Sequence, residues 1–213
     1  MRRIFLLYII CLSLPTVLLS QVKDTTNTKA KNIIWYVPSK AKHINGIALG
    51  LCNLPNDYKQ TINGISFELL GAGYVVPFIL AAPDDEGYLP KSRHNLKNNG
   101  LVLGLTLYSG QINGIGVSPL IGANYDLNGF SFSTINITVF KANGLMTGVV
   151  NASDIVNGIQ LGLLNVTDEQ NGVQIGLVNI AKDLRGFQFG IWNVNDKRSL
   201  PFINWQFGPA KQK

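Results

Sequence analysis

Between residues 44 and 193 the apolar positions recur in a fixed phrase. It runs glycine, apolar, small residue or glutamine, apolar, glycine, two apolar residues together, then asparagine. The first half alternates with a period of two, the pattern of a strand with one face covered. After the second glycine the phase breaks at Leu163-Leu164, Leu177-Val178 and Ile191-Trp192, which predicts a corner in mid-phrase. Two glycines and an asparagine about every fourteen residues in the regular copies exclude a helix, where each costs about 0.5–1 kcal/mol against alanine.

Nine segments align on an Asn-Gly anchor: Ile44–Asn53, Ile62–Gly71, Asn98–Leu107, Ile112–Ile121, Leu127–Asn136, Ala142–Asn151, Val156–Asn165, Gln170–Asn179 and Leu184–Asn193. The anchor glycines are Gly46, Gly64, Gly100, Gly114, Gly129, Gly144, Gly158, Gly172 and Gly186, spaced by 18, 36, 14, 15, 15, 14, 14 and 14 residues. Such a period marks a repeat architecture.

Two all-β architectures fit this period. In a β-solenoid of nine repeats of about fourteen residues, each repeat is one coil, and equivalent residues stack at the roughly 4.8 Å strand spacing. Leu161, Ile175 and Phe189 are then expected as an interior column, and Asn165, Asn179 and Asn193 as an amide ladder at a corner. In an antiparallel barrel or meander, each Asn-Gly is instead a hairpin turn. The solenoid is preferred for three reasons. The broken alternation asks for a corner where a membrane strand keeps period two. A barrel puts the recurrent asparagine towards lipid, where an unpaired polar group is costly. Nine copies is also an odd number, whereas bacterial barrels have even strand counts.

Open solenoid ends require covers. Asn32–Ser39, with Trp35 and Tyr36, is predicted to cap the first coil, and Phe202, Trp205 and Phe207 the last. The interval Gly73–Lys97 carries Pro77, Pro83 and Pro90 and the acidic run Asp84-Asp85-Glu86, and reads as a loop inserted into the array. The predicted organisation is a signal peptide over 1–20, a leader and cap over 21–43, the array over 44–195 with its insertion at 73–97, and a cap and tail over 196–213.

The export reading comes from the first twenty residues. Arg2-Arg3 precede an apolar stretch, Ile4 to Leu19, that ends at the small residue Ser20. Pro15 and a span of about 16 residues weaken the rival reading of an uncleaved anchor, which needs about 20. Cys11 has Ile10 before it rather than the small residue of a lipoprotein signal. With the signal removed, Cys52 is the sole cysteine, so no internal disulfide is expected. It falls on an apolar position and reads as a small core residue.

Composition then narrows the function classes. With 46% hydrophobic and 14% charged residues the chain is too apolar for a disordered one. Its net charge of +6 is spread over scattered cations, with no stripe for nucleic acid.

Residues 157–167, 171–181 and 185–205 resemble a family of bacterial surface repeat-containing proteins. These are exported chains with many Gly-apolar-Gln-apolar-Gly-apolar-apolar-Asn copies and a closing Leu-Pro-x-x-Asn-Trp, matched by Leu200, Pro201, Asn204 and Trp205. The resemblance covers about the last 70 residues well and the earlier copies loosely. The insertion and the missing asparagine at Gly71, Leu107 and Ile121 depart from it. It implies a cell-envelope or outer-surface location and carries over no catalytic residue.

No residue is put forward as catalytic, cofactor-binding or metal-ligating, and no cofactor is expected. His43 and His94 lack a second ligand at metal spacing and read as solvated loop residues. Asp84-Asp85-Glu86 reads as a solvated acidic loop. The glutamines Gln160, Gln174 and Gln188 suit either a flat face for a polymer or a stacked amide ladder. The sequons at Asn136, Asn151 and Asn165 arise from the repeat asparagine. The chain is therefore expected to be a non-enzymatic exported envelope or surface protein. Its expected partner is another envelope protein, a polysaccharide or a host molecule, without nucleic acid and with peripheral or outer-membrane association open. An outer-membrane β-barrel and a carbohydrate-active β-helix enzyme are the alternatives.

Overall fold

The computed structural model describes residues 30–37, 41–50, 59–69 and 95–208. Within them lie nine strands: β1 (Lys31–Val37), β2 (His43–Gly50), β3 (Gln60–Glu68), β4 (Leu96–Gly104), β5 (Thr106–Thr147), β6 (Val150–Leu161), β7 (Leu164–Ile175), β8 (Val178–Val194) and β9 (Ser199–Gln206). They form one sheet in sequence order. Consecutive strands pair parallel up to β8, and β9 turns back antiparallel on β8. Parallel pairing of consecutive copies makes a β-solenoid of about nine turns, and the antiparallel barrel is not formed. The strand β5 passes through several coils without a break in its bridges.

Register follows the anchor glycines: Gly46, Gly64, Gly100 and Gly114 pair in turn, as do Gly144, Gly158, Gly172 and Gly186. The wider intervals of 18 and 36 residues leave this register unchanged. All nine anchors have φ between +127° and +146°. A Cβ at Gly172 would strike the backbone carbonyl of Gly158 in the rung before it. Glycine is required here by both its torsion and the closeness of the next rung.

Three expectations are corrected. Leu161, Ile175 and Phe189 stand on the outside, 42%, 41% and 38% exposed, while Gln160, Gln174 and Gln188 between them are fully buried. The parity is opposite to the hydrophobic rule because inward amides bond rung to rung, and outward apolar side chains lose no hydrogen bond. Secondly, Phe202, Trp205 and Phe207 remain exposed. The last coil is closed by β9 itself, whose buried Asn204 donates to Gln188 at 3.0 Å, and whose Gln206 accepts from Asn195 at 3.3 Å. Thirdly, β1 is a further rung rather than a cover alone. Asn32 and Ile33 lie in register with Asn45 and Gly46, and Ile33 adopts φ +83° where the later copies hold glycine. Trp35 packs on the first core cluster, while Tyr36 is exposed. Residues 1–29, 38–40, 51–58, 70–94 and 209–213, and hence the signal segment, Cys52, the end of the predicted first cap, almost all of the insertion and the tail, lie outside the described residues.

Each rung carries two inward side chains that face one another across its first half, two residues before and two after the anchor glycine. Their sizes offset each other: Ile44 with Ala48, Ile62 with Ser66, Ile112 with Gly116, Leu127 with Ser131, then the reverse at Ala142 with Met146. A Cβ on Gly116 would come within 3.1 Å of Ile112 Cδ1. In these rungs the interior is one large side chain wide, whereas Gln170 with Gln174 and Leu184 with Gln188 bury two. The interior is mostly aliphatic in the earlier rungs, Asn98 apart, and takes in the glutamines from Gln160 on.

Gly172→Ala is expected to cost at least about 3 kcal/mol, from the positive φ together with the collision. Gly208→Ala, where an added Cβ meets nothing within 4 Å, is expected to stay within about 0.5 kcal/mol. Chemical denaturation of the two variants checks the difference.

Candidate functional site

Stacking brings every repeat position into a column, so the surface is a set of stripes along the solenoid axis. Three amide ladders hold these stripes in place. At the anchor corner, nine asparagines from Asn32 to Asn171 are joined by eight Asn-to-Asn bonds of 2.7–3.0 Å, each Nδ2 donating to the previous rung. Inside, Asn136, Asn151, Asn165, Asn179 and Asn193 are buried and bonded in the opposite sense, each Nδ2 donating to the next rung at 2.7–3.0 Å. The same Nδ2 groups of Asn151, Asn165 and Asn179 also donate to the carbonyls of Leu161, Ile175 and Phe189, which ties down the mid-phrase bend. The ladder predicted from Asn165, Asn179 and Asn193 is therefore formed, with Asn136 and Asn151 joined to it.

The third ladder settles the two readings of the glutamines in favour of stacked amides. Gln188 donates to Gln174 and Gln174 to Gln160, both at 2.7 Å, and Gln174 also reaches the Ile180 carbonyl. Buried and bonded in this way, the glutamines offer no face to a polymer. The ladder stops below Met146, and the Gln160 Nε2 has no partner among the described residues.

Outside, the columns one and three residues after the anchor form an apolar wall. The first runs from Ile47 and Ile65 through Phe130 to Ile159 and Phe187, and the second from Leu49 and Phe67 through Phe132 to Leu161 and Phe189. A third stripe at the bend holds Leu105, Val149, Leu163, Leu177 and Ile191, all exposed. Among the described residues these columns contain no charged side chain. Thr147 interrupts the second column between Phe132 and Leu161. Beside it lies an open depression of about 380 Å³ bordered by Val117, Pro119, Phe132, Thr147 and Val149. Sequence reasoning missed this wall because it assigned its residues to the core.

The array's charges collect along the edge just before the anchor. Lys182 pairs with Asp168 at 2.7 Å, and Arg185 with Asp183 at 3.1 Å. Lost hydration on that edge pushes the Asp154 carboxyl above the usual carboxylate range, and the negative Asp168 adds to the shift. The Asp168 carboxylate in turn holds the Lys182 ammonium above its ordinary value. His43 is exposed at the start of β2. His94 and Asp84-Asp85-Glu86 lie outside the described residues. Among the described residues no three His, Cys, Asp or Glu side chains converge as a metal site.

Comparison of the chain with protein-family models, with curated proteins and with solved structures found no match.

Replacing Gln174 by the similar-sized methionine removes the donor to Gln160 and the acceptor of Gln188, leaving Gln160 buried without a side-chain partner. Gln174→Met is expected to cost about 2–3 kcal/mol. Gln160→Met removes an amide that already lacks one partner, and Gln174 keeps the Ile180 carbonyl; it is expected to cost less than about 1 kcal/mol. Thermal melts of both variants check the order.

Proposed function

We propose that this chain is an exported, non-enzymatic protein of a cell envelope or outer surface, acting through contact of its apolar wall with a partner. The observation that carries the reading is the wall itself: apolar side chains on the outside of a closed solenoid, uncharged from rung to rung among the described residues. Monomeric proteins rarely leave contiguous apolar patches beyond a few hundred Å² open to water, and larger ones mark binding surfaces. The solenoid suits that use, because its backbone hydrogen bonds run between rungs along the axis. The wall therefore presents side chains only, without unpaired backbone groups that resist burial. The export pattern of residues 1–20 and the resemblance to surface repeat proteins support the location. The repeat has the economy of a scaffold, in which length is added one rung at a time.

Fractionation of cells making the full chain tests this reading. The chain is expected with the envelope, and a version lacking residues 1–20 is expected to stay in the cytosol. Ile159→Lys combined with Ile175→Lys changes two outward side chains. The double variant is expected to keep its β spectrum and to move from the envelope into the soluble fraction. Retention of a folded double variant at the level of the unaltered chain would overturn the role of the wall.

A further inference from the structure

We propose that the wall pairs two copies of this chain face to face, with their solenoid axes antiparallel, so that the occupant of the surface is a second copy. This deepens the reading of the wall as the contact surface and rests on it. Nine rungs at about 4.8 Å and a width of four residues at about 3.3 Å make a face of roughly 500 Å² in projection, or about 1,000 Å² for two copies. That reaches the threshold of a specific interface before the ridges of the side chains are counted.

The face meets itself at its middle through aromatic side chains. Of the nine anchored rungs the fifth is that of Gly129, and it carries Phe130 and Phe132 on the wall, both exposed. Immediately beside Phe132 lies the depression left by Thr147 and Val117. A twofold axis along the strand direction through this rung sets the Phe132 ring of each copy against that of the other, with the two depressions facing one another beside the rings, one patch meeting itself as an isologous contact demands. It also places two aromatic side chains at the centre of the interface, where binding energy concentrates. The same axis brings the slim first rung, Ile47 and Leu49, against the bulky last one, Phe187 and Phe189.

Period and charge favour a copy over a lipid surface. The ridges repeat at the rung spacing, and a second stack of rungs offers grooves at the same interval. The charged edge is mixed in sign and holds ion pairs, as in Lys182 with Asp168 and Arg185 with Asp183. A cationic belt of the kind that draws interfacial proteins to anionic lipid is not present along this edge.

Sedimentation of the full chain and directed disulfide formation test the pairing. The chain is expected to sediment as a dimer at low-micromolar concentration. Phe132→Lys, with an unchanged β spectrum, is expected to weaken the dimer at least 100-fold, and Lys182→Ala on the edge to leave it unchanged. With Cys11 and Cys52 replaced by alanine, Phe132→Cys is expected to cross-link to itself on oxidation. Ile47→Cys is expected not to, but to cross-link when mixed with Phe187→Cys. A monomer at all concentrations, a dimer indifferent to Phe132→Lys, or a monomer that binds phosphatidylcholine vesicles through the wall would overturn the pairing. Should Phe132→Lys fail to fold, the cross-linking pattern decides alone. A monomeric chain whose wall variants still leave the envelope fraction would refute the pairing and keep the contact role. A dimer whose wall variants stay in the envelope would do the reverse.

Discussion

When rungs stack at strand spacing, every side chain lies directly above its own equivalent, and each column must tolerate a residue repeated against itself. Glycine satisfies the anchor column because a Cβ would meet the carbonyl of the rung before it. Amides satisfy the inner columns because one end of each donates to the other end of the next. Apolar side chains stack without conflict outside. Charges pair between rungs where the sign changes, as between Asp168 and Lys182, and burial together with the like charge of Asp168 in the next rung raises the pKa of Asp154.

The narrow interior adds a second condition. In several rungs one large side chain fills the half-rung, so Ile112 faces Gly116 and Met146 faces Ala142, while the later rungs hold two, as Gln170 with Gln174 and Leu184 with Gln188. A core this thin buries little apolar area on its own, and the hydrogen-bonded ladders supply the order that a thicker aliphatic core would provide elsewhere. The ladders run in opposing directions, towards the first rung at the anchor corner and towards the last at the buried asparagines.

The period, the corners and the parallel stacking were legible in the sequence because stacking copies the constraint of one rung into all the others. Which face points inward was not. Gln160 and Leu161 alternate equally well in either sense, and the rule that apolar residues go inside chose the wrong one. A usable signal lay in the earlier copies. The position of Gln160 holds Ala48, Ser66, Val102, Gly116, Ser131 and Met146 there, with no aromatic ring, whereas the position of Leu161 holds Phe67 and Phe132. Exclusion of aromatic rings marks the inside of this thin coil where hydropathy does not. The first rung was hidden for a related reason: Ile33 occupies the glycine position, and among the described residues no rung lies beneath it to be struck. The wall, and with it the candidate site, became visible only once the parity was known.

Stacking in register is the claim on which the ladders, the wall and the pairing all depend, and one distance tests it most directly. Lys141 and Asp183 lie on the charged edge, three rungs apart through Ile155 and Glu169. Spin labels on cysteines at these two positions are expected about 15 Å apart, three strand spacings along the axis. In a meander with a turn at every anchor they lie at opposite ends of their strands, and a separation of roughly 30 Å or more would contradict the solenoid.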